Sequence, residues 1–255
     1  MKVRILGCGT STGVPKIGNE WGQCDPTEPR NYRLRTSILV TSAGERILVD
    51  CGPDLRQQLL AAEVSRLTGV IVTHAHGDHC HGIDELRPVS QAIGGPVPMH
   101  ARRDVVAELE ERFAYIFAQS DFYRPVAAAR EIGEELSLGD ARARFVDQPH
   151  GGPTSLGVRF DEGAKSVAYA VDFSELSDDM AALYHGADVW IADCLTRKPH
   201  PTHMHLDGLL GFARDLDVGQ LYLVHMGNGL DYRTLVAELP DWAAPAYDGL
   251  EIDLE

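Results

Sequence analysis

Thr73-His74-Ala75-His76-Gly77-Asp78-His79 places three imidazoles and a carboxylate in one short run of chain. The segment follows Gly69–Thr73, an apolar stretch that reads as a buried strand. No packing demand calls for three imidazoles and an aspartate so close together, so their function is read as metal ligation. His74 and His76, two apart in extended chain, can face one ion together. Gly77 permits a sharp turn at little steric cost, after which Asp78 and His79 point to a second position.

The same residue types recur where other strands are expected to end. His150 comes after a strand over Ala143–Val146, Asp172 after Ser166–Val171, and His225 after Leu221–Val224. Strand ends gathered at one rim are where ligand sites usually sit. A carboxylate such as Asp172, shared between two dications, offsets their repulsion at a separation of about 3.5–4 Å. Open coordination positions would hold a water whose pKa falls towards neutrality, giving a hydroxide nucleophile at ordinary pH. His81, His100, His185 and His200 lack such placement and are read as ordinary surface or core histidines.

Further strands are expected at Val3–Leu6, Ser37–Thr41, Arg46–Asp50, Gly157–Phe160 and Val189–Ala192. Helices are expected over Pro53–Val64, Arg102–Ala118, Leu206–Leu216 and Tyr232–Leu239, the last on an Asp231 cap. Asp121–Leu138 receives no assignment. Strands run first as hairpins and then interleave with helices, twice over, which suits two face-to-face sheets with helices outside. No repeat, low-complexity tract or linker divides the chain, so a single domain over residues 1–255 is expected.

Twenty-three basic and 38 acidic residues give a net charge of −15, a field that repels long polyanions and argues against a large nucleic-acid surface. A small phosphate ester could still be held by metal ions or a few arginines, with Arg33 and Arg35 as candidate phosphate contacts. No apolar run approaches the length of a membrane span, and the N-terminus lacks a signal-peptide pattern, so a cytoplasmic protein is expected. The five scattered cysteines contain no C-x-x-C pair and read as free thiols.

The histidine segment resembles the metallo-β-lactamase superfamily. That resemblance implies an α+β fold, an αββα sandwich of two mixed sheets flanked by helices, with two Zn²⁺ or Mn²⁺ ions at one edge. It implies His74, His76 and His150 on one ion, Asp78, His79 and His225 on the other, and Asp172 as bridge. Gly7-Cys8-Gly9-Thr10-Ser11-Thr12-Gly13-Val14-Pro15, Asn31–Ser37 and His81–Arg87 are similar to the PhnP-like branch. The branch implies a phosphodiesterase for small or cyclic esters of ribose or nucleotides, and it is compatible with a homodimer. It also implies a non-ligand histidine that touches phosphate or protonates the leaving oxygen. His203 is the first candidate and His205 the second, with Asp78 also near the chemistry.

One departure concerns the structural zinc of PhnP-like relatives, built from a cysteine cluster and a histidine near the C-terminal ligand. Here the matching stretch keeps only Cys24, and Asn228 stands three residues after His225, so no structural zinc is expected. Four readings compete with the phosphodiesterase. A zinc β-lactamase usually carries a cysteine at the second ion. A glyoxalase II-like thioesterase shares nearly all the ligands but has no obvious use for His203 and His205. A tRNA 3′-processing nuclease normally needs a basic arm, which is not evident here. A non-catalytic nucleotide-binding module is the reading that loss of a ligand would have favoured, and none is lost.

Overall fold

The structure, a computed structural model, describes residues 1–119, 122 and 124–254. The N-terminal half contains β1 (Lys2–Gly7), β2 (Ser37–Ser42), β3 (Glu45–Val49), α1 (Leu55–Ala61), β4 (Gly69–Ile71), α2 (Gly77–Cys80), α3 (Leu86–Ile93), β5 (Val97–Ala101), α4 (Arg103–Arg112), α5 (Ala114–Phe117) and β6 (Ala127–Glu131). The C-terminal half contains β7 (Glu135–Leu138), β8 (Ala141–Pro149), β9 (Thr154–Glu162), β10 (Lys165–Ala170), α6 (Asp178–Tyr184), β11 (Val189–Asp193), α7 (Leu206–Asp215), β12 (Gln220–Val224), α8 (Tyr232–Glu238), β13 (Ala243–Pro245) and β14 (Glu251–Asp253).

Two sheets form, in the orders β14-β1-β2-β3-β4-β5-β6 and β13-β12-β11-β10-β9-β8-β7. Each is antiparallel in one half and parallel in the other. In the first sheet β1, β2 and β3 pair antiparallel, while β4, β5 and β6 add in parallel to β3. In the second, β7 to β10 pair antiparallel, and β11, β12 and β13 add in parallel. Parallel pairing needs a crossover, and the helices supply most of these crossovers.

Apolar residues decide which faces meet. Val3, Ile5, Ile38, Val40, Ile47 and Val49 of the first sheet share a core with Val158, Phe160, Val167, Tyr169 and Ile191 of the second. The alternate residues Leu39, Leu48 and Val70 turn outwards, where they meet Leu55, Leu59, Val89, Val105 and Leu109 of the outer helices. The αββα sandwich expected from the sequence is therefore present. Among the described residues no helix is long and apolar enough to cross a membrane.

The expected elements are found with shifted ends, except that the helix over Arg102–Ala118 is two. Phe113 (φ −122, ψ 38) breaks it, because its ring turns aside to meet His81 edge-on at 5.7 Å. The unassigned stretch from Asp121 holds β6 and β7, and residues 121 and 123 of it lie outside the described ones. Strands β5 and β13 and helices α3 and α6 were also unforeseen. β14 pairs with β1 across nearly the whole sequence, with Val3 opposite Ile252.

Candidate metal centre

Strands β3, β8, β10, β11 and β12 end at one rim, and each hands over to a residue of the site. Asp50 follows β3, His150 follows β8, Asp172 follows β10 after Val171, Asp193 closes β11 and His225 follows β12. Asp50, Asp172 and His225 have φ of 66°, 54° and 55°, a left-handed conformation uncommon for side-chain-bearing residues. Such strained turns cluster where a chain must aim a side chain.

Among the described residues the candidate donors form three overlapping groups: two make up the expected pair of ion positions and meet at Asp172, and the third joins Asp172 and His225 to Asp193 and His203. His74, His76, His150 and Asp172 have ligand-type atoms within 4.8 Å of one another, and so do Asp78, His79 and His225. Asp172 Oδ2 lies 3.4 Å from His74 Nε2 and 3.3 Å from His150 Nε2. Its Oδ1 lies 3.2 Å from His225 Nε2 and 3.6 Å from His79 Nε2. Asp78 Oδ2 closes the second group, 3.2 Å from His79 Nε2 and 3.4 Å from His225 Nε2. Gly77 opens α2 with ordinary negative φ, so the turn there does not depend on left-handed glycine backbone.

The far sides of the rings are also held. His79 Nδ1 donates to Asp50 Oδ2 at 2.7 Å, and His150 Nδ1 donates to the Thr202 carbonyl at 2.8 Å. Thr73 Oγ1 donates to Asp50 Oδ2 at 3.0 Å and faces His74 Nδ1 at 3.1 Å. Asp193 Oδ1 stands 3.6 Å from His225 Nδ1. These contacts turn the Nε2 atoms inwards, as outer partners of metal-bound histidines do. Asp50 and Asp193 were not singled out from the sequence, although both end strands by the same rule that marked Asp172.

His79 Nε2 and Asp172 Oδ1 are buried and have no hydrogen-bond partner among the described residues. Orphaned buried polar atoms of this kind are rare unless something else satisfies them. Imidazole nitrogens and carboxylate oxygens suit divalent cations such as Zn²⁺ or Mn²⁺, so the residues present fit them. Burial and the charges inside the two groups shift the titration of the donors. Burial, the largest influence at His74, pushes it down to about 4, and His79 adds to this. At His225 the carboxylates of Asp172, Asp193 and Asp78 outweigh burial and raise it to about 10. Asp78 is held below the usual carboxylate range, because the His79 and His225 imidazoles outweigh the burial that would raise it.

Beside the two groups, His203 Nδ1 donates to Asp193 Oδ2 at 2.8 Å, and its ring stacks on His225 at 5.0 Å. His203 lines a cavity of about 280 Å³ above the donors, together with Ser11, Gly151, Pro153 and Thr202. His205 is not there. It precedes α7 with its ring turned towards Gly208, and it belongs to none of the donor groups among the described residues. The second candidate for the leaving-group histidine is thus corrected by helix geometry.

Neither arginine reaches the cavity. Arg33 is 1% exposed, with Nη1 on the Gly227 carbonyl at 3.2 Å and Nη2 on the Leu230 carbonyl at 2.6 Å. Nη1 also lies 4.0 Å from Cys24 Sγ. Arg35 pairs with both oxygens of Asp54 at 3.1 Å and holds the Ser11 carbonyl at 3.2 Å. The expectation that they contact phosphate is corrected: both clamp loops instead.

Two mixed sheets with histidines and aspartates gathered at their common strand-end rim define a metallo-β-lactamase-fold hydrolase. A model of the β-lactamase superfamily domain matches residues 45–226. A solved structure described as a new diphosphatase from the PhnP family is 32% identical, covers 99% of this chain and 97% of that one, and superposes with a TM-score of 0.89. The chain belongs to the metallo-β-lactamase superfamily and to its PhnP-like branch. It is also 29% identical, over 98% of its length, to an octanoyltransferase of Porphyromonas gingivalis, of which it spans only 51%. Zn²⁺-bound PqqB from Methylobacterium extorquens shares the fold at 21% identity, with full coverage of both chains and a TM-score of 0.82.

Proposed function

We propose that this protein is a two-metal phosphodiesterase acting on small or cyclic phosphate esters. The observation that carries the reading is Asp172, one oxygen towards each histidine group, with His203 standing beside both. His74, His76 and His150 would hold one ion and Asp78, His79 and His225 the other, with Asp172 contributing to both groups. When bound, such ions supply charge neutralisation at the phosphoryl oxygens and activation of water.

The chain's own groups account for the rest. Asp50 and the Thr202 carbonyl fix His79 and His150, so that donors are in place before substrate arrives. Asp193 holds the Nδ1 proton of His203, leaving Nε2 to protonate the departing oxygen. The Ser11 and Pro153 walls narrow the cavity around the reacting group. A diphosphate is the second reading, favoured by the 32%-identical relative described as a diphosphatase.

The test is hydrolysis of bis(p-nitrophenyl) phosphate by chelator-stripped protein, with Mn²⁺ or Zn²⁺ restored. Metal-dependent release of nitrophenolate is expected. Two-metal protein that releases none, yet cleaves a thioester such as S-lactoylglutathione, would overturn the proposal.

A further inference from the structure

Away from the metal centre, a cavity of about 440 Å³ opens between β1, the loop at residues 29–34, helix α1 and the segment 247–249. It shares no lining residue with the cavity above the donors. Its size is that of an ordinary small-molecule site. Three of its features point to a ligand, and each calls for a different part of one.

The first is an orphaned acceptor in the wall. Gln58 of α1 is 2% exposed, and its Nε2 donates to the Arg35 carbonyl at 2.8 Å. That bond fixes which way round the amide stands, and it leaves Oε1 buried with no partner among the described residues. A buried carbonyl oxygen in that state is rare unless a donor from outside meets it. The second feature is charge. Lys2 Nζ and Arg4 Nη1 approach one carboxylate, Glu251, at 2.6 and 3.3 Å, so a single anion answers two cations. Arg30 has its guanidinium over the rings of Tyr232 and Tyr247, 5.0 Å from each, and among the described residues no ion pair engages it. Its neighbour Glu28 is paired with Arg233 instead. Asp248 also lines the cavity, but its two oxygens accept from the Cys8 and Leu34 amides. The lining arginines Arg4 and Arg30 thus leave surplus positive charge on a protein of net charge −15, which attracts a small anion. The third feature is flat surface. Tyr32, 51% exposed, and Tyr247 both line the cavity, and aromatic faces of this kind stack on planar heterocycles.

We propose that this cavity is a second small-molecule site, for a planar heterocycle that carries an N–H donor and an acidic group, the build of a nucleoside monophosphate. The heterocycle lies against Tyr32 and Tyr247, its donor meets Gln58 Oε1, and its phosphate lies towards Arg4 and Arg30. The site owes nothing to the metal donors and stands whether or not the protein is a phosphodiesterase.

Titration calorimetry of the metal-loaded protein with adenosine 5′-monophosphate, adenosine and ribose 5-phosphate tests this. The monophosphate is expected to bind, and the two fragments each to bind at least about tenfold more weakly. Gln58 is a poor position to vary, since its amide also holds Arg35, whereas Arg30→Glu and Tyr32→Ala alter exposed side chains. Each should raise the Kd of the monophosphate by about tenfold or more, while His203→Ala leaves it within about twofold. No binding of the monophosphate overturns the proposal. Binding that Arg30→Glu and Tyr32→Ala both leave unchanged overturns it too, and a loss on His203→Ala would then place the nucleotide at the metal centre. Equal affinity for ribose 5-phosphate overturns it in favour of a bare anion site. A dimer that both variants dissociate, measured by sedimentation, with no change in nucleotide affinity would assign this face to a second copy of the chain and overturn it as well.

Discussion

Asp172 and His203 lie within one shell of His225, yet the contacts assign them different jobs. Asp172 faces donors of both groups with its two oxygens, whereas His203 touches Asp193 and the face of His225. Asp172→Ala should therefore abolish binding of both ions, measured by metal analysis after dialysis. His203→Ala should keep them and lower kcat by roughly 10²–10⁴-fold, the usual worth of a positioned proton donor. A His203→Ala enzyme no slower than His200→Ala would exclude the proton-donor role. The histidines of the HxHxDH segment were legible because no core needs them. Asp50 and Asp193 were not, since an aspartate ending a strand is ordinary until a ring nitrogen is found 2.7 or 2.8 Å away. Arg33 misled for the complementary reason: nothing local says whether a guanidinium points out to phosphate or in to carbonyls 194 residues further along the chain.

Between the ends of β3 and β4, backbone contacts lock the ligand segment to its neighbours. Cys51 N donates to the His79 carbonyl, and Gly82 N donates to the Cys51 carbonyl, both at 2.8 Å. This leaves no room at Gly52, where a Cβ would meet the Asp78 carbonyl oxygen at 2.0 Å. The obstacle is backbone, so α2 itself must shift. Gly52→Ala should weaken metal affinity by about tenfold or more, the range seen when ligand orientation is disturbed. Titration with a competing chelator would measure it, and unchanged affinity would show that the loop adapts. At this scale hydrophobic periodicity located most strands and helices, because a strand buried on one or both faces leaves a plain apolar pattern. It missed β13 and β14, three residues each and too short to show a period. It also ran α4 into α5, since Phe113 continues the helical apolar spacing and only its contact with His81 reveals the break.

Over the whole molecule, the C-terminal segment ties the N-terminal loop to the sheets. Asp248 is a buried carboxylate accepting from Cys8 N at 3.0 Å and Leu34 N at 2.7 Å, and burial raises it to about 7. An unfolded chain releases that proton near pH 4, whereas the folded protein keeps it until about 7. The folded state binds the extra proton throughout this window, so stability should fall as pH rises from about 4 to about 7 and then level off. Denaturation midpoints of chelated protein across that range should slope downwards more steeply than those of Asp248→Asn. Equal slopes would show that Asp248 ionises normally. The sequence by itself determined the fold class and the candidate ligands, because apolar periodicity and an unusual density of imidazoles are local properties that survive without coordinates. Only the tertiary structure decided which of the remaining polar groups meet: that Asp50 and Asp193 back the histidines, that His203 rather than His205 enters the cavity, and that the arginines face away from it. Those outcomes depend on the direction of side chains brought together from distant strands, and no spacing along the chain encodes a direction in space.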